Sequence, residues 1–211
     1  MLRNDIKEFI NTIPKDVTLV AATKYIDASL MRDLFHAGVT NFGENRVDSF
    51  FDKYQTLNDL QITWHFIGHL QTNKAKKVIN NIDCLHSLDS LKLAEIIEKN
   101  RQEPLPCFVE VSINKEDNKN GIWPEKLYDF LIELKKYQKV KVIGLMMMTI
   151  SESSLEEKRE QFHQLFVLRN KMEEKLHISL PFLSMGMSDD YIEAIKEGAT
   201  HIRLGRILFK K

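Results

Sequence analysis

The stretch TLVAATKYIDASLMRDLFHAG, residues 18–38, decides the fold, because an apolar run is followed directly by a helical pattern. Residues 18–23 form a short apolar run that ends in threonine at both sides and contains the β-branched Val20, which predicts a buried strand. From Asp27, a residue type that caps helix N-termini, apolar residues recur at helical spacing until Gly38, which suits a helix end. The stretch therefore predicts one strand followed by one helix.

The same alternation continues along the whole chain. Eight apolar runs predict strands, at Thr18–Thr23, Val39–Phe42, Thr63–Ile67, Ile82–His86, Pro106–Ile113, Val140–Met147, Leu180–Leu183 and Thr200–Leu204. Helix starts are indicated at Pro124, at Ser154 with Glu157 in a capping-box pattern, and at Ser188. Strict alternation favours the α/β class with a parallel sheet.

Eight such units, preceded by a helix within residues 1–13, predict a (β/α)₈ TIM barrel. The alternative is a doubly wound open sheet, but the turn after the first strand lacks the GxGxxG loop that such folds often carry. No linker or repeat array interrupts the sequence. We therefore expect one domain over residues 1–211, with an extra N-terminal helix.

The composition is that of an ordinary globular chain, with 30 basic and 30 acidic residues among 211. This balance gives no electrostatic reason to expect nucleic acid or a membrane surface as a partner. The N-terminus lacks the apolar core of a signal peptide, and no apolar run approaches bilayer length. Cys84 and Cys107 indicate neither a disulfide framework nor a zinc site. We expect a cytoplasmic protein, and a monomer because no large apolar stripe is evident.

Lys24 follows the first predicted strand at its carboxyl end, where barrel enzymes place their functional groups. Strand alternation puts it on the same side as Val20 and Ala22, and the small Ala22 leaves room beside it. In a partly desolvated site a lysine amine loses its proton more readily and can form a Schiff base with an aldehyde. The position alone does not distinguish such a site from a solvated lysine.

Two later segments have the composition of a phosphate site. LSMGMSDD (183–190) supplies hydroxyls, a glycine and backbone N–H groups at a helix start, although Ser188 is equally an ordinary N-cap. RLGR (203–206) ends the eighth strand, and barrels commonly bind phosphate after strands seven and eight. His65 and His69 share a metal-like spacing, but Ile67-Gly68 interrupts any helix there, so a hydrogen-bonded core or loop role is favoured.

At these positions the sequence closely resembles the pyridoxal phosphate homeostasis protein family, which is related to the N-terminal barrel of alanine racemase. The matching segments are LVAATK (19–24), AGVTNFGENRV (37–47), WHFIGHLQTNKAK (64–76), HSLDSLKLA (86–94), VEVSINKEDNKNGI (109–122), GLMMM (144–148) and LSMGMSDDYIEAIKEGATHIRLG (183–205). They follow the family order through the chain. The resemblance implies a protein that carries pyridoxal 5'-phosphate (PLP) on a lysine Schiff base and takes part in intracellular PLP homeostasis.

The resemblance also implies the residues that surround the ring and aldehyde of PLP. Lys24 matches the lysine that bears the cofactor, and Asn45 matches a pocket residue of the GEN motif. Arg203 matches the arginine that faces the pyridine nitrogen.

A second group is implied for the phosphate. Ser184 and Met185 match the loop after strand seven, and Gly205 with the backbone of Arg206 matches the loop after strand eight. Position 206 departs from the family pattern, in which a small hydroxyl residue is common. Arg206 therefore either replaces a hydroxyl contact with a charged one or points elsewhere.

An arginine opposite the pyridine nitrogen leaves that nitrogen unprotonated and makes PLP a poorer electron sink. In the alanine racemase relatives a tyrosine from a further domain is the second base, and we expect no such domain in this sequence. The resemblance thus implies a non-catalytic carrier, with apo forms of PLP-dependent enzymes as possible recipients. The alternatives are a low-activity PLP-dependent amino-acid racemase and a cofactor-free barrel for protein contacts.

Overall fold

The computed structural model describes residues 1–114 and 120–210, and it contains a closed barrel of eight parallel strands. The strands are β1 (Thr18–Ala22), β2 (Asn41–Glu44), β3 (Thr63–Phe66), β4 (Cys84–Leu88), β5 (Leu105–Glu110), β6 (Val140–Met146), β7 (Phe182–Ser184) and β8 (His201–Leu204). Strand β8 closes the ring on β1 with Val20 opposite Arg203. The predicted TIM barrel is confirmed, and the open sheet is excluded because β1 pairs on both sides. Residues 115–119 of the 109–122 motif, and Lys211, lie outside the described residues.

Helices surround the barrel on its outer face. Within the described ranges the α-helices are α1 (Ile6–Asn11), α2 (Ala28–His36), α3 (Val47–Thr56), α4 (Thr72–Val78), α5 (Leu91–Asn100), α6 (Leu127–Leu134), α7 (Leu155–Leu176) and α8 (Tyr191–Lys196). Short 3₁₀ turns form at Pro124–Lys126 and Arg206–Leu208. In the part of the chain that the structure describes, no helix combines the length and apolar character needed to span a membrane.

Helices α2 to α8 follow strands β1 to β7, and the place of a helix after β8 is taken by the N-terminal helix α1. In the residues described after β8 the chain forms only the 3₁₀ turn Arg206–Leu208. Helix α1 lies between α8 and α2, since the Phe9 and Tyr191 rings are 6.1 Å apart and Ile13 lines a cleft with Val39. The predicted N-terminal helix is thus a member of the helical ring.

Local signals at helix ends explain most of the helix boundaries. The Asp27 carboxylate accepts a hydrogen bond from the backbone N–H of Leu30 at 2.9 Å, and Ser154 and Glu157 form the predicted capping box. The helix predicted to start at Ser188 begins three residues later, at Tyr191. The delay arises because residues before it form the loop described below.

The two faces of the barrel differ in chemistry. The outward residues of the strands pack against the helices in one apolar cluster, which includes Trp64 and Phe66 on β3. The residue between them, His65, points into the barrel, where His86 and Arg203 are also buried. The barrel interior therefore contains buried polar side chains beside a small apolar cluster of Cys84, Phe108 and Met146, and it lies beneath the candidate site.

Candidate functional site

The carboxyl ends of β8, β1 and β2 form one continuous part of the barrel rim. Ala21 pairs with Leu204 and Ala22 pairs with Gly43. Because neighbouring strands are in register, the residues that follow them emerge side by side. The structure thereby brings three of the predicted site residues to the same rim: Lys24, Asn45 and Gly205.

Lys24 is exposed, with its Nζ 4.8 Å from the centre of the Tyr25 ring. Strand β1 ends at Ala22, and the next residue, Thr23, is fully buried. Lys24 consequently stands beyond the rim and its amine faces water. Of the two environments that the sequence left open, partly desolvated and solvated, the structure places Lys24 in the solvated one.

The chain just before Lys24 is held by a buried polar cluster that the sequence did not reveal. Lys53 on α3 donates to the Thr23 carbonyl oxygen at 2.6 Å and forms an ion pair with Glu44 at the end of β2. The Thr23 hydroxyl donates to the same carboxylate, and Ser49 donates to its other oxygen at 3.1 Å. The backbone next to Lys24 is therefore held in place, while the Lys24 side chain extends into solvent.

A cavity of about 860 Å³ opens beside this rim, between the loops after β1, β7 and β8 and the N-terminal segment. Its lining includes Tyr25, Ser188, Gly205 and Arg206. The Ser188 hydroxyl oxygen accepts hydrogen bonds from the backbone N–H groups of Gly205, at 3.2 Å, and Ile207, at 3.4 Å. A hydroxyl, two backbone donors and a guanidinium therefore converge on one side of the cavity.

The loop between β7 and α8 has a shape that depends on two residues. Gly186 has φ +91, and a Cβ there would lie 2.6 Å from the Cβ of Ala194, so only glycine fits. The buried Asp190 carboxylate accepts from the backbone N–H of Met187 at 2.6 Å and from the Thr149 hydroxyl at 2.8 Å. These contacts hold the intervening Ser188 against the end of β8.

Ser184 and Met185 lie below the cavity, and both are fully buried. The Ser184 hydroxyl accepts a hydrogen bond from Nη1 of Arg203 at 2.6 Å, and the N–H of Met185 donates to the His201 carbonyl oxygen at 3.0 Å. Neither residue lines the cavity that contains Gly205. The hydroxyl that does so is Ser188, which lies in the predicted phosphate segment 183–190 but which the resemblance did not match to a phosphate-binding position.

Arg203 is 5% exposed and points into the barrel just below the rim. Besides Ser184, it donates from Nη2 to the Met147 carbonyl oxygen at 2.8 Å. Burial lowers the pKa of Arg203 to about 10, against the opposing effect of the Glu110 and Asp190 carboxylates. The group is still a cation at neutral pH.

Glu110 ends β5 on the opposite side of the barrel, and the sequence did not single it out. Its side chain is 4% exposed. Burial raises its pKa to about 7, the Asp89 carboxylate raises it further and Arg203 lowers it. The barrel mouth thus contains a carboxyl group that changes charge near neutral pH.

The histidines of WHFIGHL have separate environments. His65 is buried, with Nδ1 2.9 Å from His86 Nε2 and Nε2 3.0 Å from the Asn41 side-chain oxygen. Burial lowers the pKa of His65 to about 3 and that of His86 well below its usual value. His69 is instead outside the barrel interior and contacts the Asp89 carboxylate at 3.0 Å. The favoured core or loop roles agree with these positions.

Asn45 lines a separate cavity of about 190 Å³, together with His69 and Lys74. A Cβ on Gly68 would lie 2.6 Å from the Asn45 carbonyl oxygen, so the glycine permits close packing of the two loops. Asn45 is therefore near Lys24 along the rim but is not part of the larger cavity.

Comparisons with known proteins place this arrangement in a family. The family described as alanine racemase, N-terminal domain, matches residues 2–211. A pyridoxal phosphate homeostasis protein of Aquifex aeolicus is 39% identical over 197 residues, which cover 90% of this chain and 85% of that protein. The chain belongs to the pyridoxal phosphate homeostasis protein family. The family predicted from the sequence is confirmed.

Solved structures of a related protein agree with this assignment. PipY of Synechococcus elongatus without PLP is 33% identical, with a TM-score of 0.94 and coverage of 100% of both chains. The same protein with PLP bound gives a TM-score of 0.91 and 33% identity, and covers 97% of this chain and 100% of that one. This family member therefore shares the barrel of a relative that was solved both with and without the cofactor.

Proposed function

We propose that this family member binds PLP at the barrel rim, linked to Lys24, and acts in the cytoplasm as a PLP carrier in PLP homeostasis. The observation that carries the proposal is that Lys24 follows β1, which pairs in register with β8, while its neighbour Tyr25 lines the cavity that contains an anion-binding corner. That corner consists of Ser188, Gly205 and Arg206. The PLP bound to PipY and the names of the curated relatives support the same function.

The donor set of the cavity fits a phosphate group. Phosphate oxygens accept hydrogen bonds from backbone N–H groups and hydroxyls, and a guanidinium neutralises their charge. In this proposal the phosphate would accept from the N–H groups of Gly205 and Ile207 in place of the Ser188 oxygen, the Ser188 hydroxyl would donate to it, and Arg206 would supply the cation. We therefore assign the phosphate to these residues. Ser184 and Met185 act indirectly, from below the cavity. Ser184 accepts a hydrogen bond from Arg203, and the N–H of Met185 donates to β8.

Lys24 fits the other end of the cofactor. PLP supplies an aldehyde that condenses reversibly with a primary amine and releases water. Thr23 anchors the backbone while the exposed Lys24 amine is open to solvent, so a link there can form and hydrolyse. Arg203 donates to the pyridine nitrogen in this proposal, and Asn45 borders the opposite side of Lys24.

The same residues favour storage over catalysis. Arg203 remains a hydrogen-bond donor and, unlike a carboxylate, does not stabilise a protonated ring nitrogen. Lys24 is exposed, which favours exchange of the cofactor with solvent. We further propose that the protein is a monomer and passes PLP to apo forms of PLP-dependent enzymes.

The lysine assignment is tested by borohydride reduction of the holoprotein followed by peptide mass spectrometry. We expect the reduced PLP adduct on the peptide that contains Lys24, and its loss in Lys24→Ala. Lys7→Ala, a change at another exposed lysine, is the matched control and should keep the adduct. If the wild-type adduct were on another lysine and remained there in Lys24→Ala, the assignment would be refuted.

The phosphate assignment is tested with PLP and pyridoxal, which lacks the phosphate. Ser188→Ala should weaken PLP binding about tenfold and leave pyridoxal binding unchanged, because it removes one hydrogen bond to a charged group. Equal losses for both ligands would mean that Ser188 does not contact the phosphate. Transfer is tested by mixing holoprotein with an apo-enzyme and following recovery of the enzyme's activity.

A low-activity amino-acid racemase is the second candidate, and Glu110 is the observation that favours it. This carboxyl group has a pKa of about 7 on β5, across the barrel from the strand that carries Lys24, and so has the properties of a second acid–base group. Incubation of the holoprotein with single-enantiomer amino acids separates the two functions. A loss of optical activity that disappears in Glu110→Gln would support the racemase.

A further inference from the structure

A continuous line of hydrogen-bond contacts crosses the barrel interior beneath the rim. It joins β8, β7, β4, β3 and β2 through Arg203, Ser184, His86, His65 and Asn41. The successive distances are 2.6 Å, 2.8 Å, 2.9 Å and 3.0 Å. Each of these is a normal hydrogen-bond length. The proposed function uses Arg203 and, through it, Ser184, so the role of the other three is open.

The chemistry of the two ends determines the direction of every bond. Arg203 can only donate, and the Asn41 Oδ1 can only accept. In the structure the Asn41 Oδ1 faces His65 Nε2 at 3.0 Å, and the Asn41 Nδ2 lies 3.2 Å from the Thr40 hydroxyl, which can accept from it. His65 must therefore donate to Asn41 from Nε2, which leaves its Nδ1 to accept.

The middle of the line then has one arrangement. His86 donates from Nε2 to His65, since a neutral imidazole has one donor and one acceptor. Its Nδ1 must accept the proton of the Ser184 hydroxyl, whose oxygen accepts from Arg203. All five groups are satisfied, and all four protons point away from Arg203.

We propose that Ser184, His86 and His65 form a directional hydrogen-bond chain that positions Arg203 for the ring nitrogen of PLP. The proposal rests on the function proposed above for its last step. Ser184 provides one of two anchors of the Arg203 guanidinium, and the other is the carbonyl oxygen of Met147. The chain prevents Ser184 from rotating its hydroxyl proton toward Arg203, which would break that anchor.

A metal site is the competing interpretation of the same residues. One nitrogen from each of His65 and His86 and the Cys84 Sγ lie within 4.8 Å of one another. In a metal site both facing nitrogens would bind the ion and neither would carry a proton. Here they are 2.9 Å apart, a distance at which one proton lies between them, and burial raises the pKa of the Cys84 thiol well above its usual value. The geometry favours the hydrogen-bond chain.

The chain can be tested in the apoprotein by long-range ¹H–¹⁵N NMR of the imidazole nitrogens. We expect both rings to be neutral between pH 5 and 8, because burial lowers the pKa values of His65 and His86, and to be Nε2–H tautomers because of the bond directions in the chain. An Nδ1–H tautomer in either ring would overturn the proposal. Added Zn²⁺ should leave both rings unchanged, and stoichiometric Zn²⁺ binding that shifts both would replace the chain with a metal site.

Coupling along the chain is tested with two buried serine variants. Ser184→Ala removes the donor to His86, so the ring nitrogens of His86 and of the more distant His65 should both shift. Ser87→Ala is the matched control, because this fully buried hydroxyl donates to the Gly68 carbonyl oxygen at 2.6 Å and not to an imidazole. A His65 signal that is unchanged in Ser184→Ala would show that Ser184 and His65 are not coupled through the hydrogen-bond chain.

The positioning role is tested with the cofactor. Ser184→Ala should weaken PLP and pyridoxal equally, about tenfold, and should shift the pyridine ¹⁵N signal of bound PLP, because its effect is at the ring. Ser87→Ala should change neither. A loss confined to PLP would make Ser184 a phosphate ligand and refute the positioning role. If wild-type protein bound no PLP, the proposed function would fail, while the apoprotein NMR would still decide the chain.

Discussion

Two ion pairs lie at the barrel rim, one beneath Lys24 and one beside Gly205, and they differ in burial. Glu44 is fully buried and Lys53 nearly so, and each has further hydrogen bonds to protein groups. Arg206 and Asp189 form a single contact, with side chains 78% and 65% exposed. A buried pair leaves an uncompensated charge when one partner is lost, whereas water replaces either partner of an exposed pair.

The two ion pairs therefore have different roles at the candidate site: one holds its backbone in place, and the other can rearrange when a ligand binds. The buried pair holds the backbone that carries Lys24. The exposed pair can open to let Arg206 reach an anion, at little cost to the fold.

The largest effect is expected from Lys53→Met, which leaves the buried Glu44 carboxylate unpaired. The free energy of unfolding should fall by about 3–5 kcal/mol, measured by urea denaturation. The matched control is Lys74→Met, because Lys74 is 44% exposed and pairs at 3.5 Å with the exposed Asp48. That change should cost less than about 1 kcal/mol. Equal losses would remove the distinction between buried and exposed pairs.

Glu110→Gln should change how stability depends on pH. Because the pKa of Glu110 is raised in the folded protein, its contribution to the free energy of unfolding is complete at pH values below its ordinary pKa of 4.5. That contribution is lost as the pH rises to about 7. Between these pH values, Glu110→Gln should gain about 3 kcal/mol relative to the wild type. Urea denaturation across this range measures the difference, with the exposed Glu103→Gln as control. A constant difference would mean that Glu110 has an ordinary pKa.

Thr149→Val tests the loop that presents Ser188. It removes a buried donor to the Asp190 carboxylate, which should cost about 1–3 kcal/mol of unfolding free energy. Thr56→Val, at an exposed helical threonine that bonds a backbone carbonyl, should cost less. PLP affinity should fall with Thr149→Val, because Asp190 orders the loop. An unchanged affinity would show that Ser188 is held from the β8 side alone.

The smallest effect on stability is expected from Asp189→Asn, which frees Arg206. The unfolding free energy should change by less than about 0.5 kcal/mol. PLP affinity should rise severalfold at low salt, since the guanidinium no longer has a competing carboxylate, and the gain should fade at high salt. In an Arg206→Ala background the gain should be absent. A gain that persists there would mean that Arg206 does not contact the phosphate.

The barrel was predictable from the sequence because its outward strand residues are apolar and its helices carry end signals such as Asp27 and Ser154. Strand ends were less predictable. The sequence predicted Val39–Phe42 where β2 is Asn41–Glu44, because Val39 is buried before the sheet pairing begins and Glu44 is a buried acid. A buried polar residue that faces the helices and has a tertiary partner, as Glu44 has in Lys53, has no signature in a hydrophobicity pattern.

The sequence predicted the location of those candidate-site residues that directly follow a strand. Lys24 and Gly205 emerge together because β1 and β8 pair in register, and a TIM barrel implies that pairing. The interior chain was not predictable, since His86 and Ser184 are 98 residues apart and meet only through tertiary packing. Ser188 was visible as the second serine of LSMGMS, but only the structure shows which serine lines the cavity.

The pairing of β1 with β8 also bears on how the protein folds. Thr18 and His201 are partners although they are 183 residues apart, as 201 − 18 gives. Contacts of such long sequence separation carry a high loop-closure entropy and tend to form late in folding. The Lys24 and Gly205 sides of the rim therefore meet only in molecules whose barrel has closed. A ligand held by both sides favours those molecules by mass action, so PLP bound as proposed would stabilise the closed barrel against opening at the β1–β8 seam.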